Sequence, residues 1–296
     1  MHHWSTFTWK TLTINEGAKN VIQMTIPQLA FNHDFLLNAM LGIASLHRHR
    51  LLPDKGHTLG QVELYRARAL SGFRQAIARL CPSSQSYEAA LIMSLLLIVL
   101  CAKDYSSSDE GDLAILRWIV SYRGLTSIIL LRPYPQLAET SIGPVFRREL
   151  TALGTEPVLP IVLLRMFEEV NSLDPDYEYL EFYCNILDAL GVLYASLRQD
   201  GLSPAFFVRV ISWPSFSTQP FANCVTEKRP RALVILAHYL AIVKLVKGLW
   251  WAEGMPDHEI QIIGRMVGPK WLSYIEVPLQ VTQMSDTEES ASLLLS

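Results

Sequence analysis

Arg229 to Gly254 reads RPRALVILAHYLAIVKLVKGLWWAEG. From Ala232 to Trp251 nearly every helical face of this stretch is apolar. A helix that is apolar all round must cross a membrane or be enclosed by other elements. Lys244 and Lys247 interrupt the run, and Pro230 suits a first helical turn. The stretch therefore reads as the central helix of a bundle. The longest apolar run free of charges, AALIMSLLLIVLCA from Ala89 to Ala102, is shorter than the roughly 20 residues a bilayer span needs. No membrane span is expected.

The rest of the chain carries the same periodicity. Leu36, Leu37, Met40, Leu41 and Ala44 recur at helical spacing, with Asn32 or Asp34 as the cap and Pro53 as the stop. Val62, Leu64, Ala69, Leu70, Phe73 and Ile77 mark a second helix. Further helices are predicted over 87–102, 112–131, 161–171, 177–198 and 257–275. Residues 9–25 are a weakly specified lead-in. The polar run KDYSSSDEGD, 103–112, reads as a flexible loop, 133–160 as irregular, and LSPAFFVRVISWPSFSTQPF as a loop with short turns. Alternating β-branched runs are absent. The expected fold is all-α: a single multi-helix domain over residues 1–278, with 279–296 disordered.

Half of the 296 residues (50%) are hydrophobic and 18% are charged, so the chain can bury a sizeable core and is not a disordered polymer. Net charge is −3 and the basic residues are scattered, which argues against a direct nucleic-acid surface. Cys81, Cys101, Cys184 and Cys224 are far apart, so no CxxC or zinc spacing exists. Reduced thiols are expected, with Cys101 as a small buried hydrophobe. The start, MHHWSTFTWK, lacks the apolar segment of a secretory signal.

Common catalytic signatures are missing. The sequence holds no GxGxxG, phosphate-binding loop or GxSxG. His258 and Glu259 begin like HExxH, but Ile262 stands where the second histidine belongs. No DDxxD occurs, which disfavours metal-dependent ionising cyclases, and DEGD at 109–112 reads as a solvated loop. His47 and His49 do not share a helix face. With His33 they would meet only through the fold, so no metal is expected.

Several blocks together resemble a known family. PQLAFNHDFLLNAMLGIASLHRHR, YRARALSGFRQAI, WIVSYRGLTSII and the C-terminal block from ISWPSF through LWWAEGM are similar, in order and spacing, to the regulatory region of fungal zinc-cluster transcription factors. The entry segment HHWSTFTWKTL fits as well. The similarity runs from about residue 2 to 278 and is greatest to the sterol-sensing domain of the sterol uptake control proteins. It implies an all-α fold, a deep hydrophobic pocket able to hold a sterol, and homodimerisation in some members. The family's zinc cluster needs six closely spaced cysteines, which this sequence does not have. Either the chain is an excised regulatory domain, or it has no DNA-binding module of its own; the second is the expectation carried forward.

On that basis the expected function is a stand-alone hydrophobic small-molecule pocket used as a cofactor-free enzyme of fungal specialised metabolism. It would hold a terpenoid- or polyketide-like substrate in the reactive shape for an intramolecular [4+2], Diels–Alder-type cyclisation. Such a reaction needs orientation and a hydrogen-bond donor rather than a nucleophile or metal. His238, Tyr239 and Tyr122 are the candidate donors. Trp118, Trp250, Trp251, Met93 and Leu97 are the candidate ligand-binding residues. For each, plain core packing is the competing reading. No cofactor is expected, and the location is cytoplasmic. The alternative is a sterol- or lipid-sensing regulatory domain of a transcription factor, with a nuclear location.

Overall fold

The computed structural model describes all residues except 13–15, 53–56, 102–112, 148–149, 151 and 155–157. The loop expected at 103–112 lies outside the described residues. The fold is all-α, with no strand among the described residues. It is a single multi-helix domain, as expected, and its backbone groups into two compact units, neither continuous in sequence.

The first unit comprises Met1–Lys103, Ser121–Arg148 and Gly248–Trp251. Its main helices are α1 (Asp34–Leu51), α2 (His57–Ile77) and α3 (Tyr87–Leu100), with the later part of α4 (Ile115–Ile129). Leu36, Met40, Ile43 and His47 form the buried stripe of α1, which packs on both α2 and α3. Gly42 lies at that approach: a Cβ there would lie 2.7 Å from Leu100 Cδ1, so the tip of the leucine would have to shift. Arg66 Nε donates to the Leu100 carbonyl at 2.9 Å, at the C-terminal end of α3, where helix carbonyls need partners from outside the helix. The Tyr87 hydroxyl donates to Ile128 O at 3.2 Å, and the Arg132 guanidinium lies 3.9 Å over the Tyr87 ring. The weakly specified lead-in, 9–25, carries helical turns at Trp9–Thr11, Glu16–Asn20 and Val21–Thr25, and just before it a π-helical turn, Trp4–Thr8, buries Trp4 completely.

The second unit comprises Asp104–Val120, Glu149–Lys247 and Ala252–Ser296. It contains α5 (Leu180–Asp200), α6 (Pro204–Ser212), α7 (Gln219–Thr226), α8 (Pro230–Lys244), α9 (Met255–Met266), α10 (Glu276–Thr282) and α11 (Thr287–Leu295). Helix α8 is the centre. Every residue from Arg231 to Val243 is buried, and the helix packs against α5, α6, α7, α9, α10 and α11. Each fully buried Leu, Ile or Val there contributes about 1.5–3 kcal/mol relative to exposure. Its start at Pro230 is the one expected. It stops at Lys244, and a separate 3-10 turn, Trp250–Ala252, carries the tryptophans.

Several boundaries differ from expectation for local reasons. Helix α1 begins after His33, and neither Asn32 nor Asp34 caps it by side chain. The stretch read as a loop holds α6 and α7, capped by Ser203 Oγ (3.2 Å from Phe206 N) and Thr218 Oγ1 (3.4 Å from Phe221 N). The helix expected over 161–171 is only Ile161–Arg165. The one expected to reach 275 ends at Met266, because Gly268 (φ 75°) turns the chain into a 3-10 segment, Pro269–Ile275. The tail expected to be disordered, 279–296, holds the end of α10 and the whole of α11. Asp286 Oδ1 accepts from the amides of Glu288 and Glu289 at 2.8 and 2.9 Å, and Leu294 is buried.

Among the described residues one helical stretch, Tyr177–Asp200, is long and apolar enough to cross a membrane by length and composition; half of its apolar window is buried within the protein.

Candidate functional site

The candidate site is built on α8. His238 and Tyr239 are consecutive, so they project about 100° apart and enter different surroundings. His238 is enclosed on two sides. Its Nε2 lies 2.9 Å from the Tyr274 carbonyl, and its Nδ1 lies 2.9 Å from the Tyr194 hydroxyl. A carbonyl can only accept, so Nε2 carries the proton and Nδ1 accepts from Tyr194. Burial pushes the imidazole down to about 4, and the Tyr274 carbonyl opposes that only in part. Burial likewise raises the Tyr194 phenol. His238 is thus a neutral histidine with both nitrogens engaged.

Tyr239 faces an aromatic cluster. Its ring stacks on Trp213 with centroids 4.0 Å apart and planes 20° apart, and meets Trp118 edge-on at 6.4 Å. Trp213 in turn meets Phe221 at 89°. Offset and edge-on pairs of this kind add about 0.5–1.5 kcal/mol each beyond burial. The Tyr239 hydroxyl donates to Val210 O at 3.1 Å, tying α8 to α6.

At the start of α8, Arg231 is the one cation among its buried residues. Its guanidinium bonds Asp174 and Asp176, each at 2.8 Å, and donates through Nε to Met166 O at 2.9 Å. Arg229 reaches Asp176 at 3.0 Å, and the Tyr183 hydroxyl donates to the same carboxylate at 3.2 Å. Burial raises the Asp174 carboxyl, but the Asp176 amide and the Arg231 guanidinium outweigh it and hold the group below its usual range. At the other end, Lys244 Nζ donates to Val281 O (2.8 Å) and Thr282 O (3.1 Å), and pairs with Asp257 at 2.8 Å. A cation at the carbonyl end of α10 is favourably placed.

The expected site residues fall into two groups. His238, Tyr239 and Trp118 belong to the second unit, where Trp118 meets Tyr239. Tyr122, Trp250, Trp251, Met93 and Leu97 belong to the first. There Trp250 lies 4.8 Å from the His47 ring, and its Nε1 donates to Thr11 Oγ1 at 2.9 Å. Met93 and Tyr122 are buried and Leu97 is half-buried. His33 packs on Phe35, and His47 binds Thr8 at 3.2 Å. Glu259 is buried and accepts from the Ile115 amide at 3.4 Å, so the HE pair serves the start of α4. Among the described residues no three His, Cys, Asp or Glu side chains converge as metal ligands. All four cysteines are free, and the fully buried one is Cys224, not Cys101, which is only half-buried.

Sequence reasoning missed Trp213, Tyr194 and the Arg231–Asp174–Asp176 network. The charged pair in DPD and a lone arginine opening an apolar helix were the available signals for the last.

Residues 1–151 match the fungal specific transcription factor domain, and the chain belongs to that family. It is similar to a Zn(2)-C6 fungal-type transcription factor of Gibberella zeae, at 23% identity over 95% of this chain and 60% of that protein. It is similar to sterol uptake control protein 2 of Candida albicans (22% identity, 86% of this chain, 38% of that protein). The Saccharomyces cerevisiae protein of the same name is 25% identical over 86% of this chain and 28% of its own length. The chain thus spans between 28% and 60% of these relatives.

Proposed function

We propose that this chain acts as the regulatory domain of a fungal transcription regulator, and that its second unit responds to a hydrophobic, sterol-like small molecule. The similarity to two sterol uptake control proteins over 86% of the chain is the observation that carries this reading. The aromatic cluster around Tyr239 and the fully enclosed α8 support it, because apolar ligands are held by such walls with a few polar groups.

This reading stands ahead of a cofactor-free [4+2] cyclase. A cyclase of that kind needs a donor aimed at a substrate carbonyl. The Tyr239 hydroxyl donates to Val210 O and His238 Nε2–H to Tyr274 O, so either donor would first have to give up an internal bond.

The test is a reporter assay. The chain is fused between a heterologous DNA-binding domain and an activation domain in a yeast whose sterol supply can be controlled. Reporter output that follows sterol level supports the reading. Output indifferent to sterol, together with accelerated cyclisation of a polyene aldehyde by the purified chain, overturns it in favour of the enzyme.

A further inference from the structure

The segment from Val210 to Phe221 is careful with its polar groups. Ser212 Oγ donates to Val208 O at 2.8 Å, Ser215 Oγ to Ser212 O at 2.7 Å, and Thr218 Oγ1 accepts from Phe221 N at 3.4 Å. The Tyr239 hydroxyl that lands on it is satisfied by Val210 O. Two groups break the pattern. Among the described residues, Trp213 Nε1 and Ser217 Oγ have no hydrogen-bond partner, although Trp213 is 0% and Ser217 4% exposed. The backbone amide of Ser217 is paired with Pro214 O at 3.1 Å, so the mismatch lies in the side chain alone.

A buried donor left unmade costs about 1–3 kcal/mol. Two within five residues, beside the stacked Trp213–Tyr239 pair, mark a place where a partner of the right chemistry gains what the protein alone leaves unmade. We propose that Trp213 and Ser217 form the polar end of the ligand site, where a largely apolar molecule presents one neutral oxygen to the indole N–H and the serine hydroxyl. The indole can only donate, so the ligand oxygen accepts: a hydroxyl or a carbonyl. Neither group carries charge, so an ionised headgroup would be buried without compensation. The stacked rings supply the apolar wall. This inference deepens the ligand-responsive reading and rests on it.

The experiment compares cholestanol with cholestane, delivered from cyclodextrin to the full chain; the two steroids differ by one hydroxyl. Binding is followed by equilibrium titration for the wild type, Ser217→Ala and Trp213→Phe. The wild type is expected to bind cholestanol at least tenfold more tightly. Both variants lose that preference, while cholestane affinity changes less than threefold in Ser217→Ala. The ratio of two affinities on one preparation is insensitive to a partly unfolded fraction, which protects the reading of Trp213→Phe. If the wild type prefers cholestanol and both variants keep the preference, the oxygen sits elsewhere: the proposal fails and the ligand-responsive reading survives. If the wild type binds both steroids equally, the two groups are satisfied by solvent and the proposal likewise fails alone. If neither steroid binds, both readings fall.

Discussion

The Tyr194 hydroxyl lies 2.9 Å from Nδ1 of His238 and holds the imidazole in the tautomer that donates to Tyr274. Helices α5 and α8 are thereby joined to the 3-10 segment before α10 through one neutral ring. Protonating His238 would put a charge on a ring that is only 1% exposed, with two donors facing one hydroxyl and one carbonyl.

Stability should therefore fall on acidification. The folded imidazole titrates at about 4, below the ordinary 6.5 of an unfolded chain. Above pH 6.5 neither state takes the proton and the stabilisation is complete. Below 6.5 the unfolded chain binds a proton that the folded one refuses, so stability drops until pH reaches about 4. The contribution lost over that window is about 3 kcal/mol. Urea unfolding of wild type and His238→Gln at pH 7.5 and 5.0 checks it: the wild type should lose about 2 kcal/mol more than the variant over that interval. Equal losses would remove His238 from the account.

Removing one carboxylate from the Arg231 network leaves the guanidinium with half of its counter-charge. Asp176→Ala leaves Arg231 with Asp174 alone and takes one partner from Arg229 and Tyr183. A loss of about 1.5–3 kcal/mol is expected, read as a drop in thermal midpoint. Because Asp176 is only 4% exposed, the loss should change little between low and high salt.

Lys244→Met removes the cation from the end of α10 and from Asp257 while keeping most of the side chain's apolar volume. Global stability should fall by about 1 kcal/mol. Amide exchange in 276–295 should rise more than in α5 or α8, because α10 and α11 lose an anchor that the central helices do not use. Uniform acceleration across the second unit would contradict that division.

Tyr239→Phe keeps the stack on Trp213 and removes the bond to Val210 O, a carbonyl that keeps the Trp213 amide as its other donor. The expected cost is about 0.5–1.5 kcal/mol. Tyr239→Leu also deletes the stacked and edge-on ring pairs and should cost about 1–2 kcal/mol more. Both are checked by chemical denaturation at pH 7.5.

The all-α fold and the central helix were legible because periodicity and the lack of a polar face on Ala232–Val243 leave few alternatives. Ser203 before Pro204 and Thr218 ahead of Pro220 are start signals too, and their prolines read as loop residues only when the caps are ignored. The partition of the site was not legible. His238 and Tyr239 differ by one position, yet one closes a hydrogen-bond chain and the other an aromatic cluster. Nothing local to α8 announces that Trp213, far earlier in the chain, stacks on Tyr239. The tail was misread because its polar residues mask a capped helix: Asp286 and the buried Ala291 and Leu294 carry the signal.

The most direct test of the account is equilibrium binding of a sterol to the purified chain, read as a thermal midpoint that rises with sterol concentration. The account predicts saturable, one-to-one binding of ergosterol and a gain of about 3 kcal/mol when free ligand is a hundredfold above its Kd. An unchanged midpoint across the soluble range of the sterol, with no saturable binding, would contradict it.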